Sequence, residues 1–176
     1  MTGVGNSESQ PGPLRVSTWW GRILVGRNPA VTLIRLVVLV VVASVLFKGV
    51  LIPVRVTGKS MEPTYRDGRV NFINRLAYRR SEPGRGDVVG LRTENSRLLV
   101  LKRIVGLPGE RVSIRYGRIY LDGKVLEERY TNGQPIPPTL GERKLGAEEY
   151  FVIGDNRDLS AYGVVERRHI VGKALF

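Results

Sequence analysis

Residues 111–126 read "RVSIRYGRIYLDGKVL", and this stretch decides the fold class. Short runs rich in Val, Ile and Tyr are broken at Tyr116-Gly117 and at Asp122-Gly123. Two-residue turns of this kind, with glycine second, join antiparallel strands tightly. The stretch therefore predicts two consecutive hairpin turns. It holds the runs 111–117 and 118–123, and similar short β-branched or aromatic runs lie on either side at 69–75, 86–92, 97–105 and 150–154, punctuated by Gly, Pro, Asp or Asn. "YTNGQPIPPTLGE" (130–142) reads as a long Pro- and Gly-rich loop between strands. No internal repeat and no long amphipathic helix interrupts this pattern. The expectation is a mainly β, antiparallel domain over residues 55–176.

Residues 31–54, "VTLIRLVVLVVVASVLFKGVLIPV", follow a different pattern. No charge occurs between Leu36 and Phe47, and a spanning helix needs roughly 20 apolar residues. Arg35 and Lys48 stand near enough to the ends to snorkel. A cleaved leader has its apolar region nearer the start and an A-x-A-like site, which "ASVLFKG" does not supply. A buried core helix would show polar positions at helical spacing. The stretch thus predicts one transmembrane helix. Residues 1–30 precede it as a cytoplasmic N-terminal segment, of which the first 14, rich in Gly, Ser and Pro, are expected to be disordered. Arg15, Arg22, Arg27 and Arg35 against Glu8 place the N-terminus in the cytoplasm and everything after Pro53 outside.

Composition narrows the chemistry. The 176 residues carry 28 Lys and Arg against 16 Asp and Glu, a net charge of +12, and only six of the basic residues are Lys. Basic residues are scattered in ones and twos, and no zinc-finger, ribonucleoprotein-type or helix-turn-helix signature occurs, so nucleic acid is not an expected partner. The absence of cysteine excludes disulfides, thiolate catalysis and Cys-based zinc sites, and the single histidine excludes a His-rich metal site.

Within "GKSMEPT" (58–64), Ser60 has the setting of a candidate nucleophile, and such a serine needs a base. A triad through His169 is formally possible, although "VERRHIVGKALF" also reads as an exposed surface histidine. In "RLLVLKRIV" (97–105) a strand would point Leu98, Val100, Lys102 and Ile104 one way and Leu99, Leu101, Arg103 and Val105 the other. Arginine does not lose its proton in a protein, whereas burial can make a lysine amine neutral. Lys102 is therefore the better candidate base, with a snorkelling edge-strand lysine as the other reading.

"GKSMEPT", then "LKRIVGLPGE", then "YFVIGDNRDLS", behind a single apolar span, resemble the three boxes of bacterial type I signal peptidases in the family's order. The resemblance covers residues 31–176. It implies a serine-lysine endopeptidase that removes signal peptides from exported proteins, anchored by one span with its catalytic domain on the outer face of the cytoplasmic membrane. It implies Ser60 as nucleophile and Lys102 as general base, with the Ser60 backbone N–H donating to the oxyanion. Gly58 stands where many relatives carry a second, hydroxyl donor; another backbone donor, a water or Thr57 would then serve. Met61 and Pro63 match the motif and are expected to shape the substrate cleft. Ser160 falls where the family's serine orients the lysine amine, Arg103 is expected to pair with Asp155, and Arg157 also matches. After Ser160 the chain reads "AYGVVERRHIVGKALF" where the family commonly continues Asp-Ser-Arg, about three residues longer, so the residues of a second ion pair are missing there. "IVGKALF" resembles the family's closing strand. The implied partners are extended signal peptides with Ala-x-Ala-like sites, membrane lipid and the secretion translocon; no metal or organic cofactor is implied. Two other readings stand: a specialised maturation peptidase of the same fold, and a catalytically inactive, membrane-tethered β-domain that binds rather than cuts. The self-cleaving repressors that share the fold carry a DNA-binding head and lack the span.

Overall fold

The computed structural model describes residues 28–93, 99–131 and 139–175. The expected disordered tail lies outside these residues. The chain divides into two compact units, Met1–Ala43 and Ser44–Phe176.

Helix α1 (Pro29–Val50) is apolar on every side, its leucines and valines exposed around the whole circumference. At 1.5 Å per residue its 22 residues extend roughly 33 Å, long and apolar enough to cross a membrane. The helix ends earlier than the expected 31–54 span. Residues Leu51–Arg55 are strand β1, paired with β2 (Val70–Asn74) from Leu51↔Asn74 to Arg55↔Val70. The reason is Pro53. It has no N–H for a helical bond and pushes the residue before it into the extended region. An edge strand tolerates it, and β1 is an edge. The freed Val50 carbonyl accepts the Arg75 N–H at 2.9 Å.

The described strands beyond β1 are antiparallel, as the turn chemistry predicts. Sheet A is seven-stranded, in the order β1-β2-β11-β3-β4-β9-β10, with β3 at Val88–Arg92, β4 at Leu99–Gly106, β9 at Glu149–Ile153, β10 at Tyr162–Glu166 and β11 at Ile170–Leu175. Sheet B is four-stranded, in the order β7-β6-β5-β8, with β5 at Arg111–Arg115, β6 at Arg118–Leu121, β7 at Lys124–Val125 and β8 at Leu140–Lys144. Tyr116 and Gly117 have φ of 50° and 71°, and Asp122 and Gly123 have 47° and 79°. Positive φ at both central residues is the turn that matches strand twist, which fixes Arg115↔Arg118 and Leu121↔Lys124 as the closing pairs. Besides β1, two strands fall outside the sequence expectation. The end of the 130–142 loop, from Leu140, is already β8, and β10 occupies the departure after Ser160.

Three apolar clusters hold these sheets. Val105, Phe151 and Ile153 of sheet A pack with Val112, Ile114 and Ile119 of sheet B. Val56, Met61, Tyr65, Ile73 and Leu101 form a second cluster, and Val89, Ile104, Val152 and Ile170 a third. β4 contributes to all three. Its alternating side chains send Leu101 and Ile104 into different clusters, as the period of two requires.

Candidate active site

Ser60 opens a tight turn after β1, in which the Glu62 N–H reaches Lys59 O at 3.1 Å and the Tyr65 N–H reaches Met61 O at 2.9 Å. Met61, buried beneath it, anchors the turn in the second cluster. Ser60 and Met61 line a cleft of about 110 Å³ whose walls are Val54–Gly58 on one side and Leu99–Leu101 of β4 on the other. β9 meets β4 only from Arg103 onward, so among the described residues Leu99–Lys102 have a ladder partner on the β3 side alone. The cleft therefore has a free strand edge for a wall. Pro63 is exposed and does not line this cleft; it borders two other hollows.

The Lys102 amine donates to Ser160 Oγ at 2.7 Å. Ser160 Oγ also accepts the Gly154 N–H at 2.7 Å and donates to the Ala161 carbonyl at 3.1 Å. Its one proton and both lone pairs are thus in use, and the lysine must offer Ser160 an N–H rather than its lone pair. Burial pushes the Lys102 amine below its ordinary range.

Arg103, the next residue, is treated in the opposite way. Its Nε and Nη2 chelate the two Asp155 oxygens at 2.7 and 2.6 Å, and its Nη1 donates to Gly86 O at 2.7 Å. Thr64 Oγ1 donates to the same carboxylate. With Asp155 occupied, no carboxylate is paired with Lys102 among the described residues.

Gly154 is the residue that joins Ser60 to this group, and the boxes did not single it out. A Cβ on it would lie 2.2 Å from Ser160 Oγ and 2.2 Å from the Ser60 carbonyl oxygen. Only a glycine lets these two serines close on one backbone position. The Ser60 carbonyl is fixed in turn by the Asn156 N–H at 3.1 Å. Ser60 Oγ and Ser60 N–H make no hydrogen bond to any described residue, and Ser60 lines the cleft. Gly58, at φ 94°, gives its N–H to Asp67 Oδ1 at 2.8 Å, so its amide is already engaged.

A second buried ion pair exists, away from the place where the family's Asp-Ser-Arg would supply it. Arg157 Nη1 and Nη2 reach Glu128 at 2.8 and 2.6 Å, and Arg157 Nε donates to Gly154 O at 3.1 Å. Glu128 carried no sequence signal: "LEERY" holds two adjacent acids in a segment without a recognisable box. His169 lies in the short 3-10 turn Arg167–His169 between β10 and β11 and is half-buried rather than exposed.

The family described as signal peptidase, peptidase S26, matches residues 30–176. The chain belongs to the signal peptidase family. It is 34% identical to a probable signal peptidase I-2 of Synechocystis sp. over 129 residues, 68% of this chain and 59% of that protein. It is 33% identical to a signal peptidase I of Bacillus amyloliquefaciens over 155 residues, 80% of this chain and 83% of that protein. A solved signal peptidase I from Enterococcus faecalis has 25% identity and a TM-score of 0.45, over 53% of this chain and 97% of that one. Membership in the family places the chain among the peptidases.

Proposed function

We propose that the chain is a membrane-anchored serine endopeptidase that cleaves N-terminal signal peptides from exported preproteins with a Ser60–Lys102 dyad. The observation that carries this reading is the Lys102 amine: half-buried, without a carboxylate partner among the described residues, and held through one N–H by Ser160. A lysine in that state keeps a lone pair for a proton, which an ion-paired one does not.

The chemistry follows from the groups present. A signal peptide lies extended along the free edge of β4 and adds a strand to it, with small side chains entering the shallow cleft. Lys102 takes the Ser60 hydroxyl proton as Oγ attacks the scissile carbonyl. The Ser60 N–H points a donor at the developing oxyanion. The Lys102 ammonium then gives its proton to the leaving amine, and the neutral Lys102 amine so restored deprotonates a water that attacks the acyl group, returning the proton to Ser60 Oγ as the ester bond breaks. Ser160 keeps the amine in place throughout.

Helix α1 serves as a single-pass anchor in the cytoplasmic membrane. The arginines ahead of it keep the N-terminus inside and the β-domain on the outer face, beside lipid and the secretion translocon. The deciding experiment incubates the detergent-solubilised protein with a preprotein and sequences the new N-terminus. Cleavage after an Ala-x-Ala-like site, abolished in Ser60→Ala, is expected. An uncleaved preprotein with folded enzyme would instead favour the tethered binding domain.

A further inference from the structure

Glu128 lies outside all three boxes, on the segment that follows β7 of sheet B. The Glu128 side chain is 10% exposed and faces an Arg157 side chain that is 2% exposed, so the pair is largely shielded from solvent. The Tyr130 hydroxyl donates to Glu128 Oε1 at 2.7 Å. The Tyr130 ring lies 4.0 Å from the Arg103 guanidinium, so this one segment touches both Arg157 and the arginine that holds Asp155.

We propose that Glu128 is a positioning residue for the Lys102 amine, acting through Arg157, Gly154 and Ser160. The proposal rests on the Ser60–Lys102 reading. A guanidinium is a rigid planar fork. Once Glu128 holds Nη1 and Nη2, the direction of the Nε–H is set, and it points at the Gly154 carbonyl. Gly154 has no side chain to restrict its own backbone, and the space around it admits none. Its orientation is held by the hydrogen bonds at its two ends: Arg157 at the carbonyl and Ser160 at the N–H. Ser160 in turn holds Lys102. Sheet B thereby reaches the candidate base without touching it. It also supplies the second buried ion pair that the sequence after Ser160 does not provide.

The charged groups near Lys102 leave this route intact. Arg103 and Asp155 are bound to each other, and Arg157 and Glu128 likewise. A change at Glu128 therefore reaches the amine by loosening Ser160 and admitting water, which moves the amine's titration toward that of a free lysine.

The test uses the full chain in detergent micelles with two readouts. One is kcat and KM on a preprotein across pH. The other is the Lys102 side-chain titration by NMR on lysine-labelled protein in a Ser60→Ala background, assigned by its loss in Lys102→Arg. Glu128→Gln is expected to lower kcat about 10- to 100-fold with KM little changed, since small misplacements of a reacting group cost that much. The ascending pH limb and the Lys102 titration should both move upward. Glu128→Asp, which keeps the carboxylate, should recover part of kcat and move the limb back. An unmoved Lys102 titration, or activity lost only in proportion to unfolded protein, overturns the proposal. So does failure of both variants to fold, which would make Glu128 a purely structural residue. Cleavage by Ser60→Ala would sink the dyad instead, and the Lys102 titration would still decide the role of Glu128.

Discussion

Two neighbouring cations on β4 show how one strand can serve structure and chemistry at once. Arg103 is buried with a dedicated acid that takes two of its nitrogens, and Thr64, Gly86 and the Tyr130 ring also lie against it. Lys102 is partly buried with a neutral hydroxyl as its partner. The same low-polarity surroundings therefore act in opposite directions. The arginine's charge is compensated and locks β4 to the loop after β9. The lysine's charge is uncompensated, and burial drives the amine toward its neutral form. A buried cation with an acid is a fastening; one without an acid is a candidate base.

The largest expected effect breaks or confirms this contrast directly. Lys102→Arg keeps a cation but removes the ability to accept a proton. It should be as inactive as Lys102→Ala, a loss of at least about 10³-fold in kcat/KM on a preprotein, in line with removal of a triad base. Circular dichroism on the same samples checks that the fold survives. Substantial activity in Lys102→Arg would mean that the two cations differ only in location.

The opposite experiment removes the acid. Asp155→Asn leaves Arg103 buried without a countercharge, which typically destabilises by about 3–5 kcal/mol. Urea unfolding should show that loss as a lower midpoint. A midpoint within experimental error of the parent would mean that Gly86 O and Thr64 suffice to hold the guanidinium.

These contrasts were legible in the sequence to different depths. The turns at Tyr116-Gly117 and Asp122-Gly123 could be read because positive φ demands particular residues locally. The alternation that separates Lys102 from Arg103 could be read because a strand's period is two. β1 was hidden because "VLIPV" continues the apolar run of α1, and only Pro53 marks the change. β10 was hidden because "YGVVE" lies where the family pattern breaks. Glu128 and Gly154 depend on tertiary register. An acid in a segment after β7 meets an arginine 29 positions later, and a glycine is required by two serines from distant parts of the chain. Nothing local encodes either meeting.

pH separates the two cations by a smaller margin. The Lys102 amine is depressed by burial, and in the proposed dyad only its neutral form accepts a proton, so kcat/KM should rise with pH along a limb well below a free lysine's ~10.4. Stability follows the same proton. Between the folded and the unfolded lysine titrations the unfolded chain binds more protons, so stability rises with pH through that window. Lys102→Met removes the penalty and should raise Tm by a few degrees, ~3 °C, near pH 6. That gain should shrink as pH approaches ~10.4, where the unfolded lysine also loses its charge. A Tm difference independent of pH would show that the amine is solvated in the folded state.

The smallest effect concerns an ion pair that joins the two sheets directly. Arg143 of β8 meets Glu149 of β9 at 2.9 Å, with side chains 51% and 28% exposed. Solvent screens such a pair, and holding two long side chains together costs entropy. Glu149 also keeps another bond when the arginine is removed, because its second oxygen accepts the Gly146 N–H at 2.9 Å. Arg143→Gln should therefore change stability by no more than about 0.5 kcal/mol and leave kcat/KM at the parental value. Added salt should leave even that difference smaller. If Arg143→Gln proved as damaging as Asp155→Asn, burial would not be what distinguishes the pairs around the cleft. The contrast between Lys102 and Arg103 would then need another physical basis than desolvation.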